Sequence, residues 1–309
     1  MRIGLTGGGS SVDKIVAQAQ RAEADGFSTL WYASSVAGDP LVAMAIAGRA
    51  TSSIELGTAV LQTYPCHPLL QANRAAAAAN AMGRPGFTLG VGPSHEPVVR
   101  EILGLSYDHP ARNTGEYLRI LTGLLAGERV DVDGTDWTTH SAGRMVTVEH
   151  PVPVLLAALS PRMLAIAGRF AHGVVLWMAS AAVIAARIAP ALRDAAAAHR
   201  RTAPRIVAGL PVAVHEDTAE ARAAIAATSS GYERMANYQR VIHASGGAGA
   251  ADVGIVGDEA AVARQLRDLV DAGATDVWAQ PVAVGADRGE RAASLNRTRA
   301  LLSDVARAG

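Results

Sequence analysis

Short apolar runs without polar alternation recur along the chain, centred near Ile3, Leu30, Leu56, Leu89, Leu155, Val175, Val207 and Val277. Runs of that kind are the mark of strands buried on both faces, as in a parallel sheet. Amphipathic stretches lie between them. Residues 12–25 form one, with Gly26 placed to stop it; a second opens at His67-Pro68 and ends at Gly83; a third covers residues 111–125. Proline suits the first helical turn, and glycine suits the position just past the last. One signature recurs three times: a helix tail, a glycine, then an apolar run ending in tryptophan at Trp31, Trp177 and Trp278. Repeated helix-to-strand units of one design imply βα repeats around a parallel sheet. Eight such strands close a (β/α)8 TIM barrel, so residues 1–309 are expected to form a single barrel domain. The alternative is an open doubly wound sheet, but its edge strands would expose runs as apolar as these.

The regularity breaks twice. Residues 93–108, after the fourth strand, are an irregular excursion. Residues 228–254, after the seventh, carry a glycine-rich middle at Gly246, Gly247 and Gly249. Long loops on the strand-exit face of a barrel are where lids and sites are built. Residues 127–150 alternate like a hairpin.

Two successive strands end in polar residues on what should be one rim: Gln62, Thr63 and Tyr64 after the third, Ser94 and His95 after the fourth. Gly57 lies inside the third run, where a glycine usually marks a bulge or a close approach of another group. Ser160-Pro161 reads as a helix start with serine as N-cap. Its free N–H groups, the positive helix end and Arg162 suit an anion; an ordinary capped surface helix has the same sequence. His95, between Ser94 and Glu96, is a candidate acid, since histidine titrates near neutral pH; a solvated loop histidine is the plain alternative. The three strand-end tryptophans either cap the core or form an apolar mouth for a planar ring system.

GTAVLQTYPCHP followed by FTLGVGPSH, with LWYASSVAGDP, VPVLLAALSPRMLAIAGRFAHGVVLW and VGDEAAVARQLRDLVDAGATDVW, resembles the bacterial-luciferase-like superfamily. Within it, the match is to the deazaflavin (coenzyme F420)-dependent oxidoreductases. The resemblance implies a cofactor held by Trp31, Ser34, Gly57, Ala59, Val60, Gln62, Gly90, Gly92, Ala158, Leu159, Ser160, Arg162 and Trp177. It also implies a non-prolyl cis peptide at Ala59-Val60, a proton donor at His95 and a homodimer. Two departures stand out. Ser34-Ser35 replaces the family's frequent Asp-His, which argues against sugar-phosphate dehydrogenation, and Ala179-Ser180 replaces a basic residue after the sixth strand. The implied activity is hydride transfer between F420 and a small organic substrate, in the direction that reduces a C=C or C=N bond. A flavin (FMN)-dependent luciferase-like monooxygenase and a non-catalytic cofactor-binding protein are the alternatives.

Composition narrows the field further. The 309 residues are half hydrophobic and 18% charged, with zero net charge. That fits a folded globule and lacks the basic excess of a nucleic-acid binder. Cys66 is the sole cysteine, so disulfides and cysteine-rich metal sites within one chain are excluded. Lys14 is the sole lysine and follows no glycine, so there is no P-loop. Gly7, Gly8 and Gly9 are consecutive and lack the spacing of a dinucleotide fingerprint. The nine histidines show no metal spacing. The opening MRIGLTGGGSS has no long apolar core and no apolar run reaches membrane-spanning length, so the expectation is a cytoplasmic protein.

Overall fold

The computed structural model describes residues 1–36 and 38–308. Eight parallel strands form the barrel: β1 (Arg2–Gly7), β2 (Thr29–Tyr32), β3 (Glu55–Thr58), β4 (Phe87–Gly92), β5 (Val154–Ala157), β6 (Gly173–Trp177), β7 (Arg205–Val214) and β8 (Asp276–Pro281). Each of the eight apolar runs supplies one of them. Closure is made by β1 pairing with β8, Gly4 opposite Trp278, which removes the open-sheet alternative. The main helices are α1 (Val12–Ala24), α2 (Pro40–Arg49), α3 (Pro68–Met82), α4 (Pro110–Leu125), α5 (Pro161–Phe170), α6 (Ala189–Ala198), α7 (Thr218–Ser229), α8 (Ala236–Ala244), α9 (Glu259–Asp271) and α10 (Arg288–Arg307). Among the described residues, no helix is long and apolar enough to cross a membrane.

Local signals act where the sequence put them. Ser11 caps α1, and Gly26, at φ 86°, turns the chain into β2. Gly83, at φ 71°, ends α3 in the left-handed region that glycine enters freely. Residues 127–150 contain the expected hairpin, Asp131–Asp133 against Thr138–His140. Residues 228–254 are less irregular than the sequence suggests, because they contain α8. That helix starts at Met235 without a side-chain cap, so its opening carries no sequence signal, and it is held instead by burying Val241 and Ile242. The β7 insertion ends in a short strand, Ile255–Gly257, paired with the outer half of β7.

The barrel interior is filled by large rings set against glycines. A Cβ on Gly4 would lie 2.9 Å from Nε1 of Trp31, and one on Gly57 would strike the Trp31 ring. A Cβ on Gly209 would strike Trp278, whose Nε1 donates to Thr6 Oγ1 at 2.9 Å. The floor is ionic. The Arg205 guanidinium donates to both Asp276 oxygens at 2.8 and 2.6 Å and to Glu55 Oε1 at 2.6 Å. Arg2 donates to Asp276 Oδ1 at 2.8 Å and to Glu55 Oε2 at 2.6 Å. Four strands are thus tied at their starts. Arg205 also lies 5.5 Å from the Trp31 ring centre, the geometry of a cation–π contact.

Candidate active site at the strand ends

A cavity of about 790 Å³ opens at the exit ends of the strands. Ala59, Val60 and Gly92 form one side, and the turn from β5 into α5 brings Ala158, Leu159, Ser160 and Arg162. Trp177 and Trp278 form another side, their rings tilted at 36° with centres 4.8 Å apart. The irregular excursion after β4 brings His95 and Tyr107, and the β7 insertion brings Tyr232 and Tyr238. These rings form a continuous series: His95–Tyr238 at 5.6 Å, Tyr238–Tyr232 at 5.1 Å and Tyr232–Trp177 at 5.8 Å. The β7 insertion therefore reaches across the mouth to the loop after β4.

Nine of the residues expected at the site from sequence lie together on this cavity: Ala59, Val60, Gly92, His95, Ala158, Leu159, Ser160, Arg162 and Trp177. The Ala59-Val60 peptide is cis. Five others are placed elsewhere. Trp31 is fully buried in the barrel interior and not at the rim, because Gly4 and Gly57 leave room for its ring there. Gly57 serves that ring. Gly90 serves the β3–β4 contact: a Cβ would collide with the Thr58 carbonyl, and Thr58 Oγ1 donates to the Gly90 carbonyl at 2.7 Å. Gln62 pairs with Gly92 in a two-residue strand, and Ser34 lies in the turn after β2; neither lines the cavity.

Two non-glycine residues with left-handed backbone flank the site: Ser94 at the end of β4 and Met178 at the end of β6, both at φ 64°. Such conformations cost energy and concentrate at functional sites. The Ser94 carbonyl accepts from Tyr107 Oη at 3.1 Å, which fixes the loop leading into His95. Ser160 caps α5, its hydroxyl accepting from Met163 N at 3.4 Å and its carbonyl from Leu164 N at 2.9 Å; Pro161 has no N–H, so the Arg162 amide is the one in the first turn left to face an anion. Trp177 Nε1 is buried and has no hydrogen-bond partner among the described residues.

Burial lowers the His95 pKa from its ordinary value, with a hydrogen bond that the imidazole donates to the Asn237 side chain pulling the other way. The neutral imidazole therefore dominates at pH 7, and the proton His95 can give is held more loosely than in water. Tyr64 packs behind Tyr107, with ring centres 5.4 Å apart, and burial pushes its hydroxyl up to about 12. It does not line the cavity.

A model of the family described as luciferase-like monooxygenase matches residues 2–276. The chain belongs to this family. Among luciferase-like relatives, the 5,10-methylenetetrahydromethanopterin reductase of Methanolobus tindarius is 30% identical over 164 residues, 53% of this chain and 49% of that protein. The F420-dependent hydroxymycolic acid dehydrogenase of Mycobacterium tuberculosis is 30% identical over 234 residues, 69% of this chain and 62% of that protein. The chain thus spans roughly half to three-fifths of the length of these two curated relatives. A solved F420-dependent secondary alcohol dehydrogenase in complex with an F420–acetone adduct superposes with a TM-score of 0.77 at 16% identity, over 98% of this chain and 97% of that one. At that identity the likeness shows a shared fold.

Sequence reasoning missed the β7 insertion as a supplier of side chains: Tyr232, Arg234, Asn237, Tyr238 and Arg240 all line the cavity. A signal was present. The chain has only six tyrosines, and two of them, Tyr232 and Tyr238, fall six positions apart in this otherwise alanine- and glycine-rich stretch.

Proposed function

We propose that this chain is a coenzyme F420-dependent oxidoreductase, passing a hydride between the deazaflavin and a small organic substrate in the direction that reduces a C=C or C=N bond. The observation that carries the reading is one cavity holding both parts such a cofactor needs: an apolar face for a planar ring and a helix start for an anion. Gly92 belongs to that face, where a Cβ would press within 3.0 Å of Val60 and Ala157. The relatives named for F420 lend the cofactor's identity to this chain.

In this reading Ala59, Val60 and Gly92 support the ring, Trp177 closes it from water, and the start of α5 holds the phosphate through the Arg162 amide and side chain. The bound deazaflavin supplies the hydride. The protein contributes orientation, a dry cavity and a proton from His95 to the atom left electron-rich. FMN, the cofactor of a monooxygenase reading, shares the ring-and-phosphate plan, and the family's own description favours that as the second reading.

Replacing Ser160 with glutamate sets a fixed negative charge where the phosphate belongs. Cofactor affinity is expected to fall about tenfold or more, while the melting temperature holds or rises, because an acid at a helix start stabilises the helix. Unchanged affinity would reduce Ser160 to a cap.

The chain is further proposed to work as a homodimer through α2 and α3, which pack on each other and leave Val42, Ile46 and Leu70 about half exposed. Light scattering at micromolar concentration should give twice the 31.8 kDa chain mass.

A further inference from the structure

The cavity lining carries four arginines, Arg112, Arg162, Arg234 and Arg240, against two acids, Glu96 and Asp108. Both acids are already taken: Arg100 holds them at 2.9 and 2.7 Å. Arg112 is likewise occupied by Asp136 at 2.8 Å. Arg162, Arg234 and Arg240 make no ion pair with any described residue. With Arg100 and Asp136 counted in, five positive charges face three negative ones, so the cavity keeps a net charge of +2 and three guanidinium groups without an ion-pair partner among the described residues. Arg162 belongs to the helix start already assigned to the cofactor phosphate. The other two come from a different element, the β7 insertion, on either side of Asn237 and Tyr238.

Two unpaired guanidinium groups beside a wall of aromatic rings favour a particular chemistry. A carboxylate matches the planar fork of arginine, and a conjugated body matches the ring faces. We propose that Arg234 and Arg240 form the recognition site for the carboxylate of an organic-acid substrate whose planar part lies on Tyr232, Trp177 and Trp278. This rests on the reading of the cavity as the active site, and it narrows the substrate class. Because both arginines are exposed until engaged, they remain hydrated without ligand, and an uncharged analogue gains nothing from them. The same contact would pin the insertion over the mouth, so selection for charge and closure of the site would be one event.

Benzoate and benzamide have the same size and ring and differ in charge, which makes them a suitable probe pair. Their binding is measured by tryptophan fluorescence on the ligand-free chain and on the chain saturated with F420, for the wild type and for Arg234→Gln/Arg240→Gln. Benzoate is expected to bind the wild type about tenfold more tightly at low salt, the usual scale for a charge-assisted pair. The double variant should lose that preference and keep its F420 affinity within about twofold, and Arg234→Lys/Arg240→Lys should restore part of it. Equal binding of the two probes to wild type overturns the proposal, as does a preference that survives the double variant. Loss of F420 affinity with the benzoate preference intact would assign the arginines to the cofactor and also overturn it. A wild type that fails to bind F420 sinks the deazaflavin reading instead, and the comparison on the ligand-free chain still decides the arginines.

Discussion

Replacing His95 with alanine is expected to lower turnover by about 10²–10⁴-fold, the range general acids supply, with little change in cofactor affinity. A proton donated in the transition state does nothing for the ground state, so the loss falls on kcat and not on binding. The pH dependence sharpens this. An acid must carry its proton, and burial lowers the His95 pKa below its ordinary 6.5. Turnover should therefore decline as pH rises through a midpoint below that value, and His95→Ala should flatten this limb. Burial lowers the midpoint and the hydrogen bond to Asn237 raises it, so Asn237→Ala should move the limb further toward acid. An iminium substrate arrives with its proton, and His95→Ala would then leave turnover near normal across the pH range. That outcome would restrict the reaction to C=N reduction, because Tyr64 is too far up in pKa and lies off the cavity.

The second large effect is on stability and lies at the opposite end of the barrel. Arg205→Met leaves Asp276, with a side chain 3% exposed, and Glu55, at 13%, facing each other with only Arg2 between them. Breaking a buried ion pair from one side typically costs about 3–5 kcal/mol, because the remaining charge stays desolvated. Burial alone would raise the Asp276 pKa; the hydrogen bond and charge of Arg205, with help from Arg2 and Thr275, instead hold it below its ordinary value. Stability from that depressed pKa is present above the unfolded value near 4 and is lost as pH falls through the folded one. Without Arg205 the balance tips toward burial, and the folded pKa moves above the unfolded value. The variant then suffers most near pH 7 and recovers as Asp276 takes a proton. Urea melts of both proteins at pH 7 and pH 4 check this: the gap should narrow at the lower pH, and a constant gap would mean the loss is one of packing over Trp31.

Much of the architecture was legible because each strand carries its own signal. An apolar run of a few residues followed by a glycine-stopped helix reads the same way wherever it stands. Part of the site was legible for a related reason: His95 and Ser160 lie at the ends of such runs, where position on the rim follows from the count, while Ala59 and Val60 were implied by the resemblance alone. The rest depended on contacts distant in sequence. Trp31 has the same sequence setting as Trp177, and only the glycines of two neighbouring strands, Gly4 and Gly57, decide that its ring turns inward. The floor network joins Arg2 to Asp276 across 274 positions, and nothing local marks either residue. The aromatic and arginine contributions of the β7 insertion were hidden because α8 begins without a cap and the stretch around it reads as a glycine-rich loop.

Parallel titration of the purified chain with F420 and with FMN tests the central claim most directly, since both cofactors offer a ring and a phosphate and differ in what the ring does. The account predicts that F420 binds about tenfold or more tightly than FMN, and that Ser160→Glu weakens F420 without unfolding the barrel. Clearly tighter FMN binding, with turnover that consumes oxygen, would contradict it and make the chain a monooxygenase.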